Sequence, residues 1–161
     1  MESWRMVWRK GFEPQFPADG LVALRDALRG DDPRLTQGST TTPPPLMCVQ
    51  DWACEAGDAI GFLGAATLGG FADAKPTGRC TNPHAATVGE VEEFFARACF
   101  TADQTLKEPA ASRWFLNWFD DTPRDEMRRD LLAEVEYNLS VRGVGGPVPD
   151  PLNPRLRETV A

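Results

Sequence analysis

The stretch "TVGEVEEFFARACFTADQ", residues 87–104, decides how this chain is to be read. Thr87 and Glu90 have capping-box spacing: the hydroxyl can accept from a free backbone N–H while the carboxylate reaches back to the start of the helix. Val88, Val91, Phe94, Phe95, Ala98 and Ala102 then recur at three- and four-residue intervals, which makes one apolar stripe on a helix. An amphipathic helix of this length must bury its stripe against other elements, and the flanking sequence supplies more helices.

Downstream, a second helix is predicted from Glu108-Pro109 to about Phe119, with proline in a first turn where its missing N–H costs nothing. A third is predicted from Asp121-Thr122-Pro123 to about Ser140, with Met127, Leu131, Leu132, Val135 and Leu139 along one side. After it, "RGVGGPVPDPLNPRLRETVA" (142–161) has no periodicity. It reads as a flexible or extended Pro/Gly-rich tail able to dock as an arm.

Upstream, residues 65–86 hold a Gly-Gly pair, two prolines and few large apolar groups, and read as a long loop. From about Met47 to Gly64 a helical pattern returns. Val49, Trp52, Ala53, Ala56, Ile60 and Leu63 share one face, with Asp51, Glu55 and Asp58 opposite. Gly57, Gly61 and Gly64 weaken such a helix unless another element crosses closely there. "TQGSTTTPPPL" is a linker, since residues before proline are pushed out of the α region. "PADGLVALRDALRG" is a short helix with Leu21, Leu24 and Leu28 at i, i+3 and i+7 and Gly30 as its stop. Residues 2–10 fit either a strand (Trp4, Met6, Trp8) or a helical turn (Trp4, Val7, Trp8). The expected fold is all-α: a compact bundle of about five helices, with 1–141 a single domain and 142–161 a tail.

Composition limits function. The chain has 161 residues, enough for one real core. Arginine outnumbers lysine, Ile60 is the only isoleucine, and alanine, glycine and proline are abundant, a bias that suits a GC-rich bacterial or phage genome. Net charge is −7, and residues 90–136 carry twelve acids against six bases. That field repels phosphate backbones and anionic bilayers, so nucleic-acid binding is disfavoured and no membrane partner is expected. No run approaches a membrane span and Glu2, Arg5, Arg9 and Lys10 interrupt any leader-like segment, so the cytoplasm is the expected location. The four cysteines then read as thiols or ligands rather than disulfides.

Few constellations offer chemistry. Cys48, Cys54, Cys80, His84 and Cys99 are the possible soft metal ligands, but only Cys80-x3-His84 is compact, and it lacks a matching pair. Cys48 and Cys54, if both helical, would point roughly 120° apart. Cys99 lies at the edge of its helix's apolar stripe, where a thiol behaves as a small hydrophobe. A Cys80–His84 nucleophile pair has no supporting signature, and neither a G-x-S-x-G elbow nor a phosphate-cradling loop is present.

"RWFLNWFDDTPRDE" (113–126) is the richest remaining stretch. Asp120, Asp121, Asp125 and Glu126 are enough oxygens for a divalent metal. They also suit helix punctuation, with Thr122 or Asp121 as cap, Asp125 at the capping-box position, and Arg129 in pairing reach of Asp125 and Glu126. Only Asp120 lacks a clear capping role, because it falls at the unfavourable C-terminal end of the preceding helix. Ala111, Trp114, Phe115, Leu116, Trp118 and Phe119 sweep roughly 200° of their helix, about twice a normal buried stripe. That helix is either central or leaves aromatic surface for a partner.

The sequence therefore predicts a non-enzymatic accessory module that binds another protein through Trp114, Phe115, Trp118, Phe119 and Asp120, with no cofactor. The alternative is a zinc-binding domain using Cys54, Cys80, His84 and Cys99, or a metal-dependent hydrolase built on the 120–126 acidic cluster.

Overall fold

The structure is a computed structural model that describes residues 3–42, 53–72 and 82–153. It is mostly helical, as expected. The segment read as either strand or helical turn is helical where it is described: α1 (Trp4–Val7) starts where the Ser3 hydroxyl accepts from the Met6 N–H, and runs on as a π-helical turn over Trp8–Phe12. This buries Val7, Trp8 and Phe12 together, which an alternating strand would not do. Gly11 lets the turn sit directly on Ala102: a Cβ there would come within 3.0 Å of the alanine's own.

α2 (Ala18–Gly30) buries Leu21, Leu24 and Leu28, the leucines marked by their spacing. Each contributes roughly 1.5–3 kcal/mol by leaving water. Gly30 is not the left-handed stop; Asp31 takes that conformation, at φ 50°.

The helix expected over Met47–Gly64 is displaced. Residues 43–52 lie outside the described residues, whereas β2 (Ala56–Gly57) is extended and pairs antiparallel with β1 (Thr41–Thr42), Thr41 facing Gly57 and Thr42 facing Ala56. α3 covers Ala59–Leu68, so the first four residues of the expected 65–86 loop are helical; 73–81 lie outside the described residues. The cause of the shift is Asp58. Its Oδ1 accepts from the Gly61 N–H at 2.8 Å, capping a helix that can begin only after it. Asp58 is thus buried, not part of an exposed polar face. Residues Ala59 to Ala65 are all buried, as a helix apolar around its whole circumference demands.

The glycines do mark close crossings. A Cβ at Gly61 would stand 2.1 Å from the Thr40 carbonyl oxygen, and one at Gly64 would stand 2.8 Å from the Phe94 ring. The linker thus lies on the first turn of α3, and α4 (Val88–Leu106) packs along its side. α4 begins with the predicted capping box: Thr87 Oγ1 accepts from Glu90 N–H at 3.1 Å, and Glu90 Oε1 accepts from Thr87 N–H at 3.0 Å.

α5 (Ser112–Asp121) and α6 (Arg124–Val141) complete the bundle, α5 against α1 and α6 against α2. A buried polar network locks the amino-terminal helix onto α6. Trp8 Nε1 donates to Asn138 Oδ1 at 2.8 Å, Asn138 Nδ2 donates to Glu134 Oε2 at 2.7 Å, and Arg9 grips both oxygens of Glu134 at 2.7 and 2.9 Å. Arg9 also holds Asp150 at 2.9 Å, so the first part of the expected tail lies against the bundle. No helix among the described residues is long and apolar enough to cross a membrane.

Candidate functional site

α4 and α5 are joined by a tight turn whose geometry differs from expectation. Lys107 (φ 56°) and Ala110 (φ 62°) both adopt the left-handed conformation, so Pro109 sits in the turn and α5 starts at Ser112. Its amino terminus is capped from the preceding helix: Asp103 Oδ1 accepts from the Ser112 N–H at 2.7 Å. At the other end the linker closes over α5. Gln37 Nε2 donates to the carbonyls of Phe119 and Thr122, both at 2.7 Å, and Asp120 Oδ1 accepts from the Gly38 N–H at 2.8 Å. Asp120, which has no role along the sequence, thus anchors the linker.

The joint between α5 and α6 also departs from expectation. Neither Thr122 nor Asp121 caps α6, and no capping box forms with Asp125. Thr122 is extended (φ −81°, ψ 136°) and gives its carbonyl to Gln37, so Pro123 becomes the boundary residue and α6 begins at Arg124. Glu126 pairs with Arg129 at 3.8 Å as expected, whereas Asp125 pairs with Arg128, at 3.7 Å.

Between α4, α5, the linker and the start of α3 lies a cavity of about 460 Å³. Asp58, Asp103 and Asp120 line it, with Cys99 and Arg113; Phe95 and Leu116 add apolar wall. Asp58 is only 3% exposed. Burial pushes its carboxyl up to about 7, the Asp120 charge adds to the effect, and the Gly61 and Ile60 N–H groups oppose it. Burial likewise pushes the Cys99 thiol up to about 11, so it stays protonated at neutral pH and is a poor nucleophile. The recess thus holds three aspartates and one arginine among its described lining residues, with the buried Asp58 near its protonation midpoint at neutral pH.

The residues expected to meet a partner separate into three groups. Phe115 and Phe119 are fully buried, which corrects their assignment to an interaction surface: α5 is central enough to face the core with both. Trp118 is half-covered by Trp4. Trp114 is 44% exposed. Of the alternative metal ligands, the three that are described, Cys54, His84 and Cys99, are not grouped. Cys54 is buried with its thiol donating to the Ala56 carbonyl, Cys99 lies in the cavity wall and His84 is exposed; Cys48 and Cys80 fall outside the described residues. Among the described residues no three His, Cys, Asp or Glu side chains are grouped to hold a metal ion.

Sequence reasoning missed Asp58 and Asp103. Asp58 carried a usable signal, an aspartate immediately before the apolar run "AIGFLGAA", which is how an N-cap reads. Asp103 carried none, because its role depends on a turn that doubles back nine residues later.

Fold and site together define a mostly helical protein with a recess lined by three aspartates beside the consecutive helices α4 and α5. Compared with known proteins, the chain matches no family model, no curated protein and no solved structure.

Proposed function

We propose that this chain is a non-enzymatic accessory module that binds another protein through the face formed by α4 and α5. The observation that carries the reading is the placement of two exposed aromatics. Phe100 is 65% exposed and follows the cavity residue Cys99; Trp114 is 44% exposed and follows the cavity residue Arg113. One helical step is about 100°, so each ring is turned outward beside a cavity-lining neighbour on the two helices that wall the recess. Scattered apolar side chains on a surface are ordinary, but aromatics beside a recess are the usual anchors of a protein interface. The protonated Cys99 thiol, and the engagement of Asp103 and Asp120 with backbone N–H groups, also favour binding over catalysis.

The test is crosslinking in source cells with a tagged full chain and with a Phe100→Ser/Trp114→Ser double variant, recovered proteins being identified by mass spectrometry. One reproducible partner, reduced at least tenfold by a double variant of unchanged circular dichroism, is the expected result. Equal recovery by both chains, or no reproducible partner, would overturn the reading.

A further inference from the structure

The ionisable groups of the cavity are arranged unlike those elsewhere in the molecule. Four other partly or fully buried carboxylates are matched by arginine: Glu134 by Arg5 and Arg9, Asp32 by Arg34, Glu13 by Arg142, and Asp150 by Arg9. Asp58, Asp103 and Asp120 instead each accept from a backbone N–H, those of Gly61, Ser112 and Gly38, at 2.7–2.8 Å. None of the three makes an ion pair among the described residues, although all three line one recess. Backbone hydrogen bonds hold these carboxylates in place but supply no counter-charge, and the buried Asp58 ionises fully at neutral pH only when a cation comes beside it. Arg113, the one basic lining residue among those described, is exposed and pairs with none of them.

We infer that this cavity receives the guanidinium group of an arginine presented by the protein partner, an inference that rests on the protein-binding reading. The volume, about 460 Å³, is within the range of sites that enclose small ligands. A guanidinium carries five N–H donors in a plane and is the cation best suited to several separate carboxylates. Phe95 and Leu116 offer apolar wall for the methylene stem, which long basic side chains bury readily. Phe100 and Trp114, outside the recess, suit apolar neighbours of that arginine on the partner chain. Charge complementarity thus sets the partner's chemistry: a basic residue in an otherwise apolar contact segment.

The experiment follows the side-chain carboxyl carbons of the full chain by nuclear magnetic resonance. N-acetyl-arginine amide stands for an arginine within a polypeptide, N-acetyl-citrulline amide is its neutral counterpart, and agmatine represents a free small cation. Saturable shifts of Asp58, Asp103 and Asp120 with the arginine amide, at least tenfold weaker with the citrulline amide, are expected. Asp58→Asn, which keeps a good N-cap while removing the charge, should weaken arginine binding at least fivefold. Absent shifts, or equal responses to arginine and citrulline, would overturn the inference. Agmatine binding tenfold tighter than the arginine amide would overturn the partner as the source of the cation. The two readings also fail separately. Crosslinking that depends on Phe100 and Trp114 beside silent carboxyl signals removes only the arginine site. Clear carboxyl shifts without a crosslinked partner remove the protein-binding reading and, with it, the partner as the arginine's source.

Discussion

The indole rings of Trp4 and Trp118 lie nearly parallel, their centroids 3.6 Å apart at an interplanar angle of 8°. The Arg5 guanidinium sits 4.6 Å from the centre of the Trp4 ring. The stack covers much of the aromatic surface that α5 would otherwise show to solvent, and it joins the first and fifth helices. Trp4→Ala should lower stability and uncover Trp118, seen as a red shift in tryptophan emission. A double-mutant cycle of Trp4→Ala with Trp118→Ala should give a coupling of about 0.5–1.5 kcal/mol. Additive losses would mean that the rings are merely neighbours.

Glu134 has no exposed surface and is gripped by Arg9, with Arg5 at 3.3 Å. Removing one member of a buried ionic group leaves the others uncompensated. Glu134→Ala should therefore cost about 3–5 kcal/mol in urea denaturation. Glu134→Leu should cost as much, because it restores volume without restoring charge. A loss under about 1 kcal/mol would show that water already reaches these arginines.

Two glycines in helices should respond oppositely to the same change. At Gly61 a methyl group would meet the Thr40 carbonyl oxygen at 2.1 Å, and neither backbone segment can yield without breaking the linker's pairing. Gly61→Ala should destabilise by about 1–3 kcal/mol or prevent folding. Gly30 has open space around it, so Gly30→Ala should stabilise by about 0.5–1 kcal/mol through helix propensity. Thermal unfolding of the pair checks both signs.

Asp58 sets a pH dependence of unusual sign for a carboxylate. Its folded value lies near 7, above the unfolded value near 3.8, so between these the native state holds a proton that the unfolded state has lost. Its contribution to stability is present below the unfolded value and is lost as pH rises toward 7, at up to about 1.4 kcal/mol per pH unit. Asp58→Asn should remove this slope and make the variant more stable relative to wild type at pH 8 than at pH 4. Parallel stability profiles for the two chains would contradict the burial argument.

Much of the helical framework was legible because it depends on neighbours three and four residues apart. The Thr87–Glu90 box, the stripe of α4 and the leucines of α2 are local patterns, and each reappears in the fold. The glycines of α3 correctly announced close crossings, since only an approaching backbone or ring makes a missing Cβ worth its entropic cost. The start of α3 was misplaced by a periodic pattern that continued through Asp58, where capping won over periodicity. The start of α6 was misplaced for a related reason: Gln37, eighty-five residues before Thr122, takes the carbonyl of the residue that would otherwise cap.

By itself the sequence determined a mostly helical architecture, a net negative charge, and α5 as the helix with more apolar circumference than one contact can bury. Those properties follow from composition and short-range spacing, which survive any arrangement of the helices. Only the tertiary structure decided how that circumference is divided: Phe115 and Phe119 go to the core, Trp118 to a stack with Trp4, and Trp114 to solvent. It alone also brought Asp58, Asp103 and Asp120 to one recess, from three segments spread over sixty-two residues. Charges so far apart in the chain meet only when packing fixes the helices, and the energy of their meeting depends on burial, which a sequence does not specify.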